Sequence, residues 1–229
     1  MKNLILATLL SCVFLIGCKK ENDDTLSGAI VDGKITAKVE NASGCSNVVE
    51  VKLRVNDLHG AGLPIELARG DWKDGGFTIE LPKTLDPNYL RALVNYDGLI
   101  IGTPSTMTIS NKNVKFALAN LLGFDKDGNV IANFYPYNAY EDGKIVFLIY
   151  VDSDVTISGY DKGEVIGHCD GGDMYLEVLC IWKKTTTYSI KWEKGWNVWC
   201  LSRSESIKKR TITEKWSTIP VSELKWYGQ

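Results

Sequence analysis

The chain has 229 residues, and its 28 acidic side chains slightly outnumber its 26 basic ones, for a formal net charge of −2. A nucleic-acid surface requires a basic excess or a focused basic patch. The sequence shows neither apart from the three adjacent basic residues 208–210, so nucleic acid is not an expected partner. The length allows one large β-domain or two ordinary ones.

The N-terminus has the pattern of an export signal. A basic start at Lys2 precedes an apolar run over residues 4–16, which ends at Gly17 and Cys18. Thirteen apolar residues are too few to span a bilayer as a helix, but they fit the apolar region of a secretory signal. We therefore predict a signal peptide over residues 1–17, which ends directly before Cys18.

A charged stretch follows Cys18, with Lys19 and Lys20 before Glu21, Asp23 and Asp24. Such a segment has little apolar area to bury and is expected to remain a solvated tether. The predicted tether covers residues 18–26.

Alternation of apolar and polar residues with a period of two runs through most of the remaining chain, as half-buried strands require. Turn residues separate the alternating segments. A short helix is expected only near residues 86–93, where Asp86 can cap a turn begun by Pro87. Strands are predicted at residues 30–39, 50–55, 77–81, 114–122, 130–135, 144–151, 155–160, 175–182, 186–192, 196–203 and 211–216.

Many short strands with regular turns indicate an all-β protein built as an antiparallel β-sandwich. A polar stretch over residues 103–113 suggests a boundary between an N-terminal β-domain at residues 27–109 and an aromatic-rich C-terminal β-domain at residues 110–229. One large sandwich is the alternative.

Four cysteines remain besides Cys12 in the signal peptide and Cys18 directly after it. An exported protein can hold disulfides. However, Cys180 and Cys200 lie in apolar, strand-like runs, where a free thiol behaves as a small hydrophobe. Buried free thiols are therefore preferred over a disulfide framework. The four residues are Cys45, Cys169, Cys180 and Cys200.

The sequence carries no recognisable catalytic or metal motif. His168 and Cys169 are adjacent, so in an extended chain their side chains point in opposite directions. Residues 125–129 have the composition of a calcium loop but the wrong glycine position, and position twelve is Pro136. A tight hairpin turn at Asp127 and Gly128 explains that segment better. We expect no metal, no cofactor and no enzymatic activity.

Aromatic residues in polar surroundings are the candidate ligand-binding residues. Exposed rings beside polar side chains suit sugar faces or a protein partner. Trp196 and Trp199 lie in apolar runs and are instead expected in the core. The candidates are Trp72 in a polar segment expected to be a loop, Tyr135, Tyr137 and Tyr140 in a segment with a proline, and Trp216.

Residues 15–18, Leu-Ile-Gly-Cys, resemble the lipobox of bacterial lipoproteins, and the charged residues after Cys18 resemble the surface-export signal of Bacteroidetes-type lipoproteins. The chain as a whole resembles the uncharacterised β-rich lipoproteins of such bacteria. The resemblance implies that Cys18 receives the lipid and that the membrane is a partner through this anchor. It also implies attachment to the outer membrane and exposure at the cell surface, but no activity.

Two functions follow as hypotheses. The first is a non-catalytic binding or adhesion module, with glycans as ligands. The second is a structural accessory lipoprotein that acts through an envelope protein partner. A contiguous apolar patch or an open strand edge would favour the second.

Overall fold

The computed structural model describes residues 30–55, 64–93, 106–136, 144–169, 178–219 and 224–228, with backbone only for residues 167–169 and 178. The described chain is almost entirely β-structure, which confirms the predicted all-β fold class. Its helical content is two 3-10 turns, Ala42–Cys45 and Pro87–Tyr89. The second confirms the predicted cap, because Asp86 Oδ1 accepts a hydrogen bond of 2.9 Å from the Asn88 amide.

Fifteen strands are described. In chain order they are β1 Ile30–Val31, β2 Lys34–Lys38, β3 Glu50–Val55, β4 Ile65–Lys73, β5 Gly76–Glu80, β6 Arg91–Ala92, β7 Thr108–Ile109, β8 Lys115–Phe124, β9 Val130–Tyr135, β10 Lys144–Val151, β11 Val155–Cys169, β12 Val178–Trp192, β13 Gly195–Ser206, β14 Thr211–Thr218 and β15 Tyr227–Gly228.

The strands form one large mixed sheet that does not close. Its main path follows the order β1-β2-β5-β4-β3-β8-β10-β13-β14-β12-β11-β7, with β6 and β9 beside β8 and with β15 beside β9. Most neighbouring strands are antiparallel, whereas β12 and β14 run parallel. The parallel pair makes the sheet mixed, in an arrangement consistent with the predicted all-β, sandwich-like fold, although the sequence did not reveal the parallel pairing.

Two hydrophobic cores lie on opposite faces of the shared strands β8, β10 and β13. Leu148 belongs to the first core and its neighbour Ile149 to the second, and the same alternation separates Val198 from Trp199. Successive side chains of a strand point to opposite faces, so a strand buried on both faces reads as a continuous apolar run. This explains the run Lys144–Val151, in which only the strand's first two residues and Phe147 retain substantial exposure.

Strands from both sides of the predicted domain boundary pair directly. Glu50–Val55 lies beside Lys115–Phe124, and the first core combines Val51 with Leu148. Strands of both predicted domains therefore belong to one continuous sheet, which crosses the boundary predicted between residues 109 and 110. The division into two independently folding domains stays a prediction.

The cysteine prediction is confirmed at two positions and wrong at a third. Cys45 and Cys200 are buried free thiols, and burial raises the pKa of each. Cys180 is disulfide-bonded, to a partner outside the described side chains. Its apolar neighbours Trp182 and Ile212 could not reveal this, because a half-cystine is buried among apolar residues as readily as a free thiol.

Candidate functional site

Trp72 does not lie in a loop, as the polar sequence around it suggested. It belongs to β4, pairs with Phe77 of β5, and leaves only Asp74 and Gly75 to form the turn at positive φ angles of 53° and 79°. Its ring stacks on Phe134 with centroids 5.1 Å apart. The ring therefore closes the edge of the first core and does not stand free in solvent.

Trp216 is also engaged in packing. Its ring stacks on Trp199 with centroids 4.4 Å apart and lies 6.5 Å from the ring of Tyr188. The indole N–H of Trp216 is buried and has no hydrogen-bond partner among the described residues. Trp216 thus borders the second core, beside Trp199, which is buried as predicted.

The predicted tyrosine cluster is only partly described. Tyr135 ends β9, pairs with Tyr227, and is 38% exposed. Tyr137 and Tyr140 lie outside the described residues. Of the five predicted aromatic residues, the three that the structure describes, Trp72, Tyr135 and Trp216, do not form a shared surface.

The segment 125–129 forms a hairpin turn between β8 and β9, as predicted. Asp125 accepts hydrogen bonds of 2.9 Å from the Asp127 amide and 2.8 Å from the Asn129 amide. Among the residues of this turn only Gly128 has a positive φ, at 82°, so the turn is not the two-residue type I′ hairpin turn, in which both central residues have positive φ. Where side chains are described, no three His, Cys, Asp or Glu residues are grouped as metal ligands would be.

A half-open cleft of about 550 Å³ lies beside this turn, between residues 44–49 and the start of β9. Its exposed apolar residues are Val49 and Ile131. The Asp125 carboxylate is occupied by its own turn, and the Asn129 side chain that donates to it holds the pKa of Asp125 below its ordinary value. The other polar side chains that line the cleft are Ser46, Asn47, Lys126 and Asp127, of which the last two form an exposed ion pair.

A more extensive polar surface lies on one face of strands β11, β12, β14 and β13. On β12, Tyr188 and Ile190 are buried in the second core, whereas the alternate residues Thr187 and Ser189 are exposed on the opposite side. The register continues this face across all four strands. We call it the outer face; it comprises Ser158, Tyr160, Lys162, Glu164, Lys183, Thr185, Thr187, Ser189, Lys191, Ser202, Ser204, Thr213, Lys215 and Ser217.

Hydroxyl groups form rows across the outer face. In one row Tyr160 pairs with Thr187, which pairs with Lys215, which in turn pairs with Ser202. Neighbouring strands lie about 4.8 Å apart, and equivalent rows are separated by about 7 Å along a strand. The face is therefore a regular array of hydrogen-bond donors and acceptors, because each hydroxyl can act as either.

Tyr160 is the one aromatic residue of the outer face. Its side chain is 46% exposed, and Lys162 Nζ lies 5.2 Å from the ring centroid. The Thr106 hydroxyl accepts a hydrogen bond from the Tyr160 amide and donates one to the Tyr160 carbonyl. The backbone beneath the ring is thus fixed, and the ring presents an accessible apolar surface.

Gly159 allows this close contact between β11 and residues 106–107. A Cβ atom at position 159 would lie 2.3 Å from the Thr106 carbonyl oxygen and 2.8 Å from Met107 Cα. The φ angle of Gly159 is +127°, which a residue with a side chain rarely adopts. The position of Tyr160 therefore depends on the glycine that precedes it.

Three aliphatic side chains continue the same side of the β11–β12 hairpin beyond the polar array. Ile166 is 74% exposed and pairs with Ile181, which is 61% exposed, and Leu179 is 64% exposed. Exposed apolar residues that are grouped in this way mark contact surfaces more often than scattered ones do. We call these three residues the apolar end.

Sequence reasoning did not select Tyr160 as a ligand-binding residue. A signal was present, because the even-numbered residues from 156 to 164 are Thr, Ser, Tyr, Lys and Glu, with Tyr160 as the single large ring among them. Tyr160 was missed because aromatic candidates were chosen for their loop-like neighbours in sequence. Exposure on a strand is decided by which face the sheet buries.

Comparison with protein-family models, with curated proteins and with solved structures gives no match to this chain. Within the described ranges, no helix has the length and apolar character to cross a membrane.

Proposed function

We propose that this protein is a lipid-anchored, non-catalytic binding module that holds glycans against its outer face. The observation that carries the proposal is the row formed by Tyr160, Thr187, Lys215 and Ser202, in which one exposed ring lies within a regular array of hydroxyl and ammonium groups.

The chemistry of the outer face matches that of a sugar. A pyranose ring presents an apolar C–H surface that can stack on a phenol, and hydroxyl groups that can exchange hydrogen bonds with serine and threonine side chains. The face is open and extended over four strands, so a chain of several sugar units has room to contact it. An enclosed pocket would instead suit a single small molecule.

The contribution of Tyr160 is tested with a panel of immobilised glycans. We expect the chain from residue 19 onward, which retains every described strand, to be retained by at least one glycan of the panel. The Tyr160→Ala substitution should weaken that binding about 30-fold, since an aromatic hot spot contributes about 2 kcal/mol. Thr187→Val, which removes a hydroxyl at nearly constant volume, should weaken binding by a smaller factor.

The matched control is Tyr135→Ala. Tyr135 is also an exposed tyrosine, at 38% against 46% for Tyr160, but it lies on β9, away from the outer face. Its substitution should leave glycan binding unchanged. Equal losses in the two variants, or a loss in Tyr135→Ala alone, would contradict the assignment of the outer face.

The lipid anchor is a separate part of the proposal, supported by the lipobox-like residues 15–18. We expect Cys18→Ser to abolish the incorporation of a labelled fatty acid and to release the protein from the membrane fraction. A Cys18→Ser protein that still carries the labelled lipid would refute the assignment of Cys18.

The apolar end supports a second candidate function, the accessory lipoprotein that acts through a protein partner. Ile166, Leu179 and Ile181 are more than 60% exposed and adjacent. A photo-crosslinking residue at position 179 should then give one discrete protein adduct in cells, whereas the same residue at the exposed Val130 should not. Absence of an adduct specific to position 179 would remove this candidate.

A further inference from the structure

The charged side chains of the outer face are mostly basic. It holds four lysines and a single glutamate, on a chain whose formal net charge is −2. Glu164 faces Lys183 across the β11–β12 pair. The other three lysines, Lys162, Lys191 and Lys215, are exposed and form no ion pair with the described residues.

The lysines are distributed over the face and do not converge on one point. Lys183 and Lys191 are eight residues apart on β12, which corresponds to about 27 Å along a strand. Lys162 and Lys215 lie in adjacent rows on opposite sides of β12. A single small anion would need donors that converge on it, whereas dispersed ammonium groups suit an extended ligand that carries a negative charge at intervals.

We propose that the ligand of the outer face is an anionic polysaccharide, one whose sugar units carry carboxylate or sulfate groups. This inference rests on the proposed glycan-binding function and specifies the class of glycan. Tyr160 and the hydroxyl rows contact the sugar rings, and Lys162, Lys191 and Lys215 neutralise the acidic groups.

Electrostatics determines the effect expected from each lysine. An exposed ammonium group gains little from each ion pair, and the gain is screened by salt. Each lysine is therefore expected to contribute roughly three-fold to affinity, and binding should weaken as the salt concentration rises. Contacts with the sugar rings at Tyr160 should be nearly independent of salt.

The test uses two polymers with the same backbone. Polygalacturonate carries a carboxylate on each unit, and its fully methyl-esterified form carries none. In titration calorimetry at low salt, the chain from residue 19 onward should bind polygalacturonate at least about ten-fold more tightly than the ester. A matched pair of dextran sulfate and dextran extends the comparison to sulfate.

The Lys162→Gln/Lys215→Gln double variant should lose about ten-fold in affinity for polygalacturonate and should keep only the roughly three-fold preference for the acid over the ester that Lys191 supplies. The control is Lys38→Gln/Lys126→Gln, which removes the same charge from two exposed positions away from the outer face, Lys38 at the end of β2 and Lys126 in the turn between β8 and β9. The control should bind as the unaltered protein does. All four substituted residues are exposed, and circular dichroism checks that both variants fold.

The outcomes separate this inference from the proposed function. Equal binding of the acid and the ester, lost in Tyr160→Ala, would overturn the anionic preference and leave glycan binding intact. No binding of any of the four polymers or of the glycan panel would overturn both. Equally tight binding of an oligothymidylate, unaffected by Tyr160→Ala, would overturn both as well, because the face would then attract any polyanion.

Discussion

Truncation of Trp72 distinguishes a structural ring from a ligand-binding one. The ring stacks on Phe134 at 5.1 Å and contacts the first core, but it is only partly buried. Truncation of a fully buried tryptophan to alanine costs about 3–5 kcal/mol, and an aromatic pair contributes about 0.5–1.5 kcal/mol beyond its buried area. For a partly buried ring with two such pairs, on Phe134 and on Phe77 at 6.5 Å, we expect Trp72→Ala to cost about 2–3 kcal/mol.

Thermal unfolding followed by circular dichroism measures this cost. For a chain of this size, 1 kcal/mol corresponds to about 2–4 °C in Tm, so Trp72→Ala should melt about 5–10 °C below the unaltered protein. Tyr135→Ala is the control, since an exposed substitution should change stability by less than about 0.5 kcal/mol. A Trp72→Ala protein that melts with the control, yet has lost glycan binding, would refute the structural role of Trp72.

Three further predictions concern single positions. Gly159→Ala should destabilise the protein by about 1–3 kcal/mol in urea unfolding, because its Cβ would meet the Thr106 carbonyl oxygen at a positive φ; unchanged stability would contradict this close contact. Cys45 and Cys200 should react with a thiol reagent at pH 8 only after denaturation, because burial keeps their pKa values high and their thiolates scarce; rapid labelling of the native protein would be inconsistent with that burial. Asp125 has a lowered pKa, so its ionised form stabilises the folded hairpin fully at pH values above 3.8, the ordinary pKa of an aspartate, and this contribution is lost as the pH falls through the lower pKa of the folded state. The difference in stability between the unaltered protein and Asp125→Asn should therefore be largest at neutral pH and should become smaller on acidification. A difference that becomes larger on acidification would contradict the direction of the pKa shift.

Most of the longer strands could be predicted because apolar and polar residues alternate along them, but β4 was missed because the polar residues around Trp72 suggested a loop. On β12, Tyr188 and Ile190 alternate with Thr187 and Ser189, and this period of two is a local property of the sequence. The hairpin at Asp125–Asn129 was predictable for the same reason, since its turn residues act on their own backbone.

Pairing between distant strands could not be predicted in this way. The parallel neighbours β12 and β14 are separated in the chain by β13, and their register depends on the sheet as a whole. Trp72 illustrates the consequence, because Asp71 and Lys73 give it polar neighbours in sequence while Phe134 lies against it in space. The free or paired state of Cys180 likewise depends on a partner that its neighbours in sequence do not identify.

The candidate site was missed because its residues are individually unremarkable. Thr187, Lys215 and Ser202 come from three strands, and only the register brings them beside Tyr160. Strand residues that face solvent usually have no role beyond solubility. What distinguishes this face is the combination of a single exposed ring with lysines that lack acidic partners among the described residues.

Mass-spectrometric lysine labelling, with and without the glycan that binds best, tests the central claim most directly because it needs no substitution. If the outer face holds the glycan, Lys162 and Lys215 should be protected from acetylation in the complex, while Lys38 on β2 and Lys126 in the β8–β9 turn should react as in the free protein. Protection of Lys38 or Lys126 with undiminished labelling of Lys162 and Lys215 would contradict the assignment of the outer face.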